Sequence, residues 1–188
     1  MREIKRIFIH VSASPDDKDW GLKEIKHLHT APKTEKIQWG KYATTGRAWS
    51  DVGYHWIVRR DGTVEQGRPE SRAGAHARGH NSDSIAIVWM GENDQTEAQK
   101  KAIRELVEKK IKEHGLKKED VYGHYEVEPL KTCPNMDMDA FRESLFFCCG
   151  KGCDNHKVSN RKEEYLPDGP SETDIDVTLE DIENQILK

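Results

Sequence analysis

Ten residues of the stretch GHYEVEPLKTCPN, from His124 to Cys133, carry an imidazole, the amine of Lys131 and a thiol. An imidazole and a thiolate on one loop are two thirds of a catalytic zinc site, because three protein ligands leave the fourth position of the metal open. Pro129 and Pro134 keep the loop backbone out of regular structure. The third ligand must come from elsewhere in the chain. The same residues also admit a plainer reading, in which His124 ends a strand and Cys133 is an ordinary buried thiol.

The elements that must position this chemistry are legible in order. Arg6 to His10, rich in Ile and Phe, reads as a buried strand with His10 at its exit, and Ser12, Ser14 and Pro15 end it. A strand end holds a side chain rigidly while leaving it open to a cleft, as a metal ligand requires. Gly21 to His29 reads as a helix with Leu22, Ile25 and Leu28 on its apolar face, and His27 and His29 are expected in solvent. Thr30 to Asp51 is expected to be a long polar loop. Its Trp39, Tyr42 and Trp49 either line the rim of a substrate groove or pin the loop to the body.

DVGYHWIVRRDGTVEQG is a hairpin turning at Asp61 and Gly62, with Tyr54 and Trp56 predicted on one face and His55 and Ile57 on the other. The loop AGAHARGHNS leads into Ser84 to Met90, apolar enough for a central strand. Thr96 to His114 is the strongest helix, with Thr96 and Gln99 as a capping box and Gly115 as its stop. Val121 and Tyr122 begin a short strand that delivers His124, and Asp137 to Phe147 forms a last helix. The fold class is therefore α/β, a single mixed β-sheet with packed helices.

Composition sets the bounds. The chain has 188 residues, room for one sizeable core plus some excess. No apolar run approaches the roughly 18 residues that span a bilayer, and the short run Ile7 to Val11 reads as a strand, not a signal peptide. All four cysteines, Cys133, Cys148, Cys149 and Cys153, lie in the last third, which favours reduced thiols or metal ligands over a disulfide framework. Residues 163–188 hold nine acidic residues and one basic, a net of −8 against −4 for the whole chain, so residues 1–162 carry +4. A mildly basic body suits an anionic polymer without specifying which. The domain plan is 1–149 as the catalytic domain, 150–176 as a polar linker and 177–188 as a short acidic amphipathic helix carrying Leu179, Ile182 and Ile186.

Three segments, IFIHVSAS, DVGYHWIVRRDGTVEQGRP and GHYEVEPLKTCPN, together with AGAHARGHNSDSIAI and the helix opening TEAQ, resemble in wording and order the zinc-dependent N-acetylmuramoyl-L-alanine amidases of the type 2 family. The family includes small phage lysozymes and the peptidoglycan recognition proteins, and the resemblance runs from about residue 5 to about residue 145. It implies His10, His124 and Cys133 as ligands of one zinc ion per chain, and Tyr54 and Lys131 as the catalytic pair. Some relatives use a Glu at the end of the central strand; Trp89 and Met90 stand there, leaving Glu92 as a reserve. In the loop that would face the cleft, His76 and Arg78 are candidate substrate contacts, as is Trp49, although a solvated loop serves equally well for the first two.

The implied activity is hydrolysis of the amide between N-acetylmuramic acid and L-alanine, by a phage or prophage endolysin made in the host cytoplasm and acting on the cell wall. The implied partner is peptidoglycan, with no nucleic acid or membrane, and the chain is expected to be a monomer. Two neutral imidazoles and a thiolate leave bound zinc a net positive charge, which lowers the pKa of its water towards about 7. The alternative is a non-catalytic peptidoglycan-binding or polymerase-regulating protein on the same fold, the acidic tail then meeting a protein partner. Cys148, Cys149, Cys153 and His156 could form a second, structural zinc knot, but their spacing matches no zinc finger pattern and favours solvated or partly buried free thiols. Deleting residues 163–188 is expected to leave activity on purified sacculi intact, and a pull-down with and without the tail separates catalysis from a partner function.

Overall fold

The computed structural model describes residues 2–146. Phe147, Cys148, Cys149, Cys153, His156, the expected linker and the expected acidic helix lie outside the described residues. Five strands form the main sheet in the order β5-β4-β6-β1-β7: β1 Arg6–Val11, β4 Trp56–Val58, β5 Val64–Gln66, β6 Ser84–Trp89 and β7 Val121–Gly123. β4, β6, β1 and β7 run parallel and β5 pairs antiparallel with β4, so the sheet is mixed.

Period-two alternation divides the sheet's side chains between two cores. Ile7, Ile9, Ile85, Ile87, Trp89 and Val121 face one side, where the helices α2 Glu97–His114 and α3 Met138–Ser144 cover them with Ile103, Leu106, Val107, Ile111, Met138 and Phe141. Ala86, Val88, Met90 and Ile57 face the other, against Ile25 and Leu28 of α1 Leu22–Thr30. With both faces covered, every residue of β6 is buried, which explains its unbroken apolar run.

The start of α2 is tied to the sheet as well as to itself. Thr96 Oγ1 accepts from the Gln99 backbone N–H and Gln99 Oε1 accepts from that of Thr96, both at 3.1 Å, while Gln99 Nε2 donates to the Met90 carbonyl at 2.7 Å. One capping residue thus satisfies a helix end and a strand end together. Among the described residues no helix is long and apolar enough to cross a membrane.

Three expectations are corrected. The polar stretch after α1 contains a second, two-stranded sheet, β2 Lys36–Trp39 and β3 Tyr42–Thr45, turning at Gly40 with φ 60°. Its Trp39 is buried and donates from Nε1 to the Ser12 carbonyl at 2.9 Å, so one anchored ring holds an otherwise polar hairpin. Tyr54 packs with Ile57 and not with Trp56, because β4 begins only at Trp56 and irregular backbone before it breaks the alternation. His29 is 1% exposed and not solvated. It lies four residues after Ile25 on the buried face of α1, and its Nδ1 accepts from the Gly53 N–H at 3.0 Å.

Burial, helped by the charges of Arg47 and Arg68, pulls the His29 pKa from 6.5 to about 3. Between those values the unfolded chain binds the extra proton, so the contribution is complete above pH 6.5 and is lost as pH falls towards 3. His29→Asn keeps an acceptor for Gly53 without the titration. Thermal melts between pH 7 and 4 should lose stability less steeply for the variant, with a residual slope from the other buried histidines, which share the direction; identical slopes would contradict this account.

Candidate metal centre and catalytic cleft

The parallel pairing of β1 with β7 sets Ile9 opposite Gly123, so His10 and His124 leave the sheet side by side at its carboxyl end. Their ring centroids are 4.6 Å apart, close to the strand spacing itself. A Cβ at position 123 would stand 2.8 Å from Met138 Cγ and 2.9 Å from Pro134 Cδ; glycine there lets the loop bearing Cys133 close on the strand end. Three hydrogen bonds pin that loop: Tyr125 N–H to the Cys133 carbonyl at 2.8 Å, Trp89 Nε1 to the Pro134 carbonyl at 3.0 Å, and Asn135 Nδ2 to the Glu92 carbonyl at 2.8 Å.

One ligand atom from each of His10, His124 and Cys133 lies within 4.8 Å of the other two, and all three residues are buried. Cys133 Sγ is 3.7 Å from His10 Nδ1 and accepts from the Val11 N–H at 3.3 Å. The donor set fits a borderline-soft divalent ion. Burial, together with His76 and Lys131 nearby, holds the His10 pKa far below its usual value, while burial and Lys131 bring His124 to about 3. Both rings are therefore neutral near pH 7, as ligation requires.

Burial pushes the Cys133 thiol up to about 12, against the opposing pull of the Val11 N–H and Lys131. Coordination to a divalent cation would favour the thiolate over the thiol. One other group of potential ligands converges among the described residues, Glu70, Glu113 and His114. Lys110 Nζ stands 2.9 Å from Glu70 Oε1 and 2.7 Å from Glu113 Oε2, so an ammonium already fills the place of a cation there.

The Tyr54 ring lies 5.2 Å from the His10 ring and 5.6 Å from that of His29. Burial, and then Cys133, raise its pKa, which favours the neutral phenol. Lys131 is largely buried, and its charge acts on all three ligand residues. Trp49 is half-buried with its ring 4.6 Å from His29, and Arg78 is exposed on the loop after β5. His76, expected beside substrate, is instead buried under His10, its Nδ1 3.2 Å from His10 Nε2 and its Nε2 3.2 Å from Ser84 Oγ. Glu92, held in reserve above, accepts from Tyr42 Oη at 2.6 Å and pairs with Lys41 at 3.0 Å.

Two contributors escape sequence reasoning. Arg47 is buried, and its charge reaches both Tyr54 and His29, yet nothing about an arginine in a polar stretch marks it. The Val11 N–H, being backbone, has no sequence signal.

Residues 1–136 match the N-acetylmuramoyl-L-alanine amidase family. An endolysin of Klebsiella phage KP32 is 36% identical over 151 residues, 76% of this chain and 87% of that protein. An endolysin of Escherichia phage T7 is 34% identical over 73% of this chain and 84% of its own. Among solved structures, an N-acetylmuramoyl-L-alanine amidase from Clostridium intestinale superposes with a TM-score of 0.60 at 23% identity, covering 76% of this chain and 85% of that one, a likeness of fold. From a match that spans the whole sheet and its site, and relatives this similar over most of their own length, it follows that the chain belongs to the N-acetylmuramoyl-L-alanine amidase family.

Proposed function

We propose that the protein holds one zinc ion on His10, His124 and Cys133 and hydrolyses the amide joining the lactyl group of N-acetylmuramic acid to L-alanine, as a phage or prophage endolysin. The convergence of those three buried ligands beside Tyr54 and Lys131 carries the reading. The phage endolysins among its relatives support action on the cell wall, and synthesis in the host cytoplasm is part of the same proposal. Zinc, when bound, supplies a Lewis acid that polarises the amide carbonyl and acidifies water.

The chain's own groups do the rest. His10 and His124 offer neutral nitrogens, and the Val11 N–H stabilises the Cys133 thiolate. The Tyr54 hydroxyl, buried beside His10, donates a hydrogen bond to charge developing on the carbonyl oxygen. The Lys131 ammonium, buried and acting by its charge on His10, His124 and Cys133, stabilises that charge in a poorly screened environment. Arg78, exposed on its loop, suits a stem-peptide carboxylate, and the half-buried Trp49 face suits a sugar. A receptor that binds peptidoglycan without cutting it would tolerate loss of a ligand or of Tyr54, whereas this chain retains them all.

Mass spectrometry of purified sacculi digested in the presence of zinc should show free stem peptides beginning at L-alanine and glycan strands with intact lactyl groups. Products cut within the glycan or between peptides would overturn the assignment. Cys133→Ser should leave metal well below one per chain by elemental analysis, and full stoichiometry would refute its role as ligand. Tyr54→Phe and Lys131→Ala should retain metal and fold while losing about 10²–10³-fold in turnover; wild-type rates would remove both from the mechanism.

A further inference from the structure

The contacts behind His10 have a direction that can be read from one end. The His80 carbonyl can only accept, and Ser84 Oγ lies 2.6 Å from it, so the Ser84 proton is committed there. Ser84 Oγ must then accept at its other contact, 3.2 Å from His76 Nε2, which places a hydrogen on that nitrogen. His76 is buried, with Ser84 and His10 and no carboxylate on its ring nitrogens, so the ring is a neutral imidazole with one N–H and Nδ1 is bare. It therefore accepts from His10 Nε2 at 3.2 Å. The bare nitrogen of His10 is then Nδ1, the one 3.7 Å from Cys133 Sγ.

Reversing the chain would put the Ser84 hydrogen towards His76 and leave two bare oxygens 2.6 Å apart. It would also turn an N–H of His10 towards the metal ligands. The surroundings hold the His76 ring in place. The His76 and Ala77 backbone N–H groups both donate to Asn81 Oδ1, at 2.8 and 3.1 Å, and Phe8 packs on the His76 ring at 5.7 Å. A Cβ at position 74 would come within 2.5 Å of His76 Cδ2, so Gly74 makes room for the ring.

We propose that His76 is a positioning residue: with Ser84 and the His80 carbonyl it fixes the His10 imidazole in its Nε2–H form and aims the Nδ1 lone pair at the metal. This rests on the metal reading above for its purpose, but not for its geometry. A partner on the far nitrogen of a ligating imidazole orients the ring and raises its basicity, and its removal typically costs 10–100-fold in metal affinity. Asn at position 76 can place Oδ1 near the position of Nδ1, whereas Gln places its amide near that of Nε2 and leaves His10 without an acceptor.

The test is nitrogen-15 NMR of the histidine rings in the metal-free full-length protein, followed by zinc titration against a chelator for the wild type and the His76→Asn, His76→Gln and His76→Ala variants. The wild type should show His10 and His76 both protonated at Nε2. Zinc affinity should fall about 10–100-fold in the Ala and Gln variants and return to within a few-fold of wild type in the Asn variant. His10 protonated at Nδ1 overturns the proposal without any variant having to fold, as does unchanged zinc affinity in His76→Ala. A wild type that shows the expected ring forms yet binds no zinc would sink the metal reading instead.

Discussion

The register of β1 against β7 is the constraint on which the rest depends. Ile9 opposite Gly123 brings two strand exits, and hence His10 and His124, to one strand spacing. A shift of one residue in β7 would turn its side chains to the opposite face. That register is held by the apolar faces of the sheet, Ile7, Ile9 and Val121 on one side and Phe8 on the other, all fully buried. Catalytic geometry is thus inherited from packing. The loop bearing Cys133 and Lys131 then needs only to close over an end that already exists, and its backbone bonds to Tyr125, Trp89 and Glu92 hold it there.

Burial has opposite consequences for different groups at this end of the sheet. It keeps His10, His76 and His124 neutral, which suits ligands and their supports, and it keeps Tyr54 protonated, which suits a donor. It also opposes the thiolate of Cys133, the one ligand that must ionise. The Val11 N–H and the Lys131 charge work against that penalty, and a metal on the proposed site would work in the same direction.

Much of this was legible in the sequence. The ligand loop, the strand bearing His10 and the capped helix α2 each carry a local signal: residue types, an Ile/Phe run, and Thr96 with Gln99. What was not legible depends on tertiary contact. The β2–β3 ladder looked like a loop because its outer positions are polar, and only the burial of Trp39 distinguishes it. A histidine at position 29 reads as solvated by its polarity, although its spacing from Ile25 puts it on the buried face. Tyr54 was assigned the face of Trp56 by an alternation that does not extend beyond β4. His76 looked like a cleft residue from its Gly-rich loop, and only three-dimensional contact shows its two nitrogens engaged by His10 and Ser84.

X-ray absorption at the zinc edge of the purified full-length protein tests the central claim most directly, because it counts the atoms around the ion. The account predicts one zinc per chain, with one sulfur at about 2.3 Å and imidazole nitrogens at about 2.0–2.1 Å. A shell without sulfur, or a protein that takes up no zinc, would contradict it.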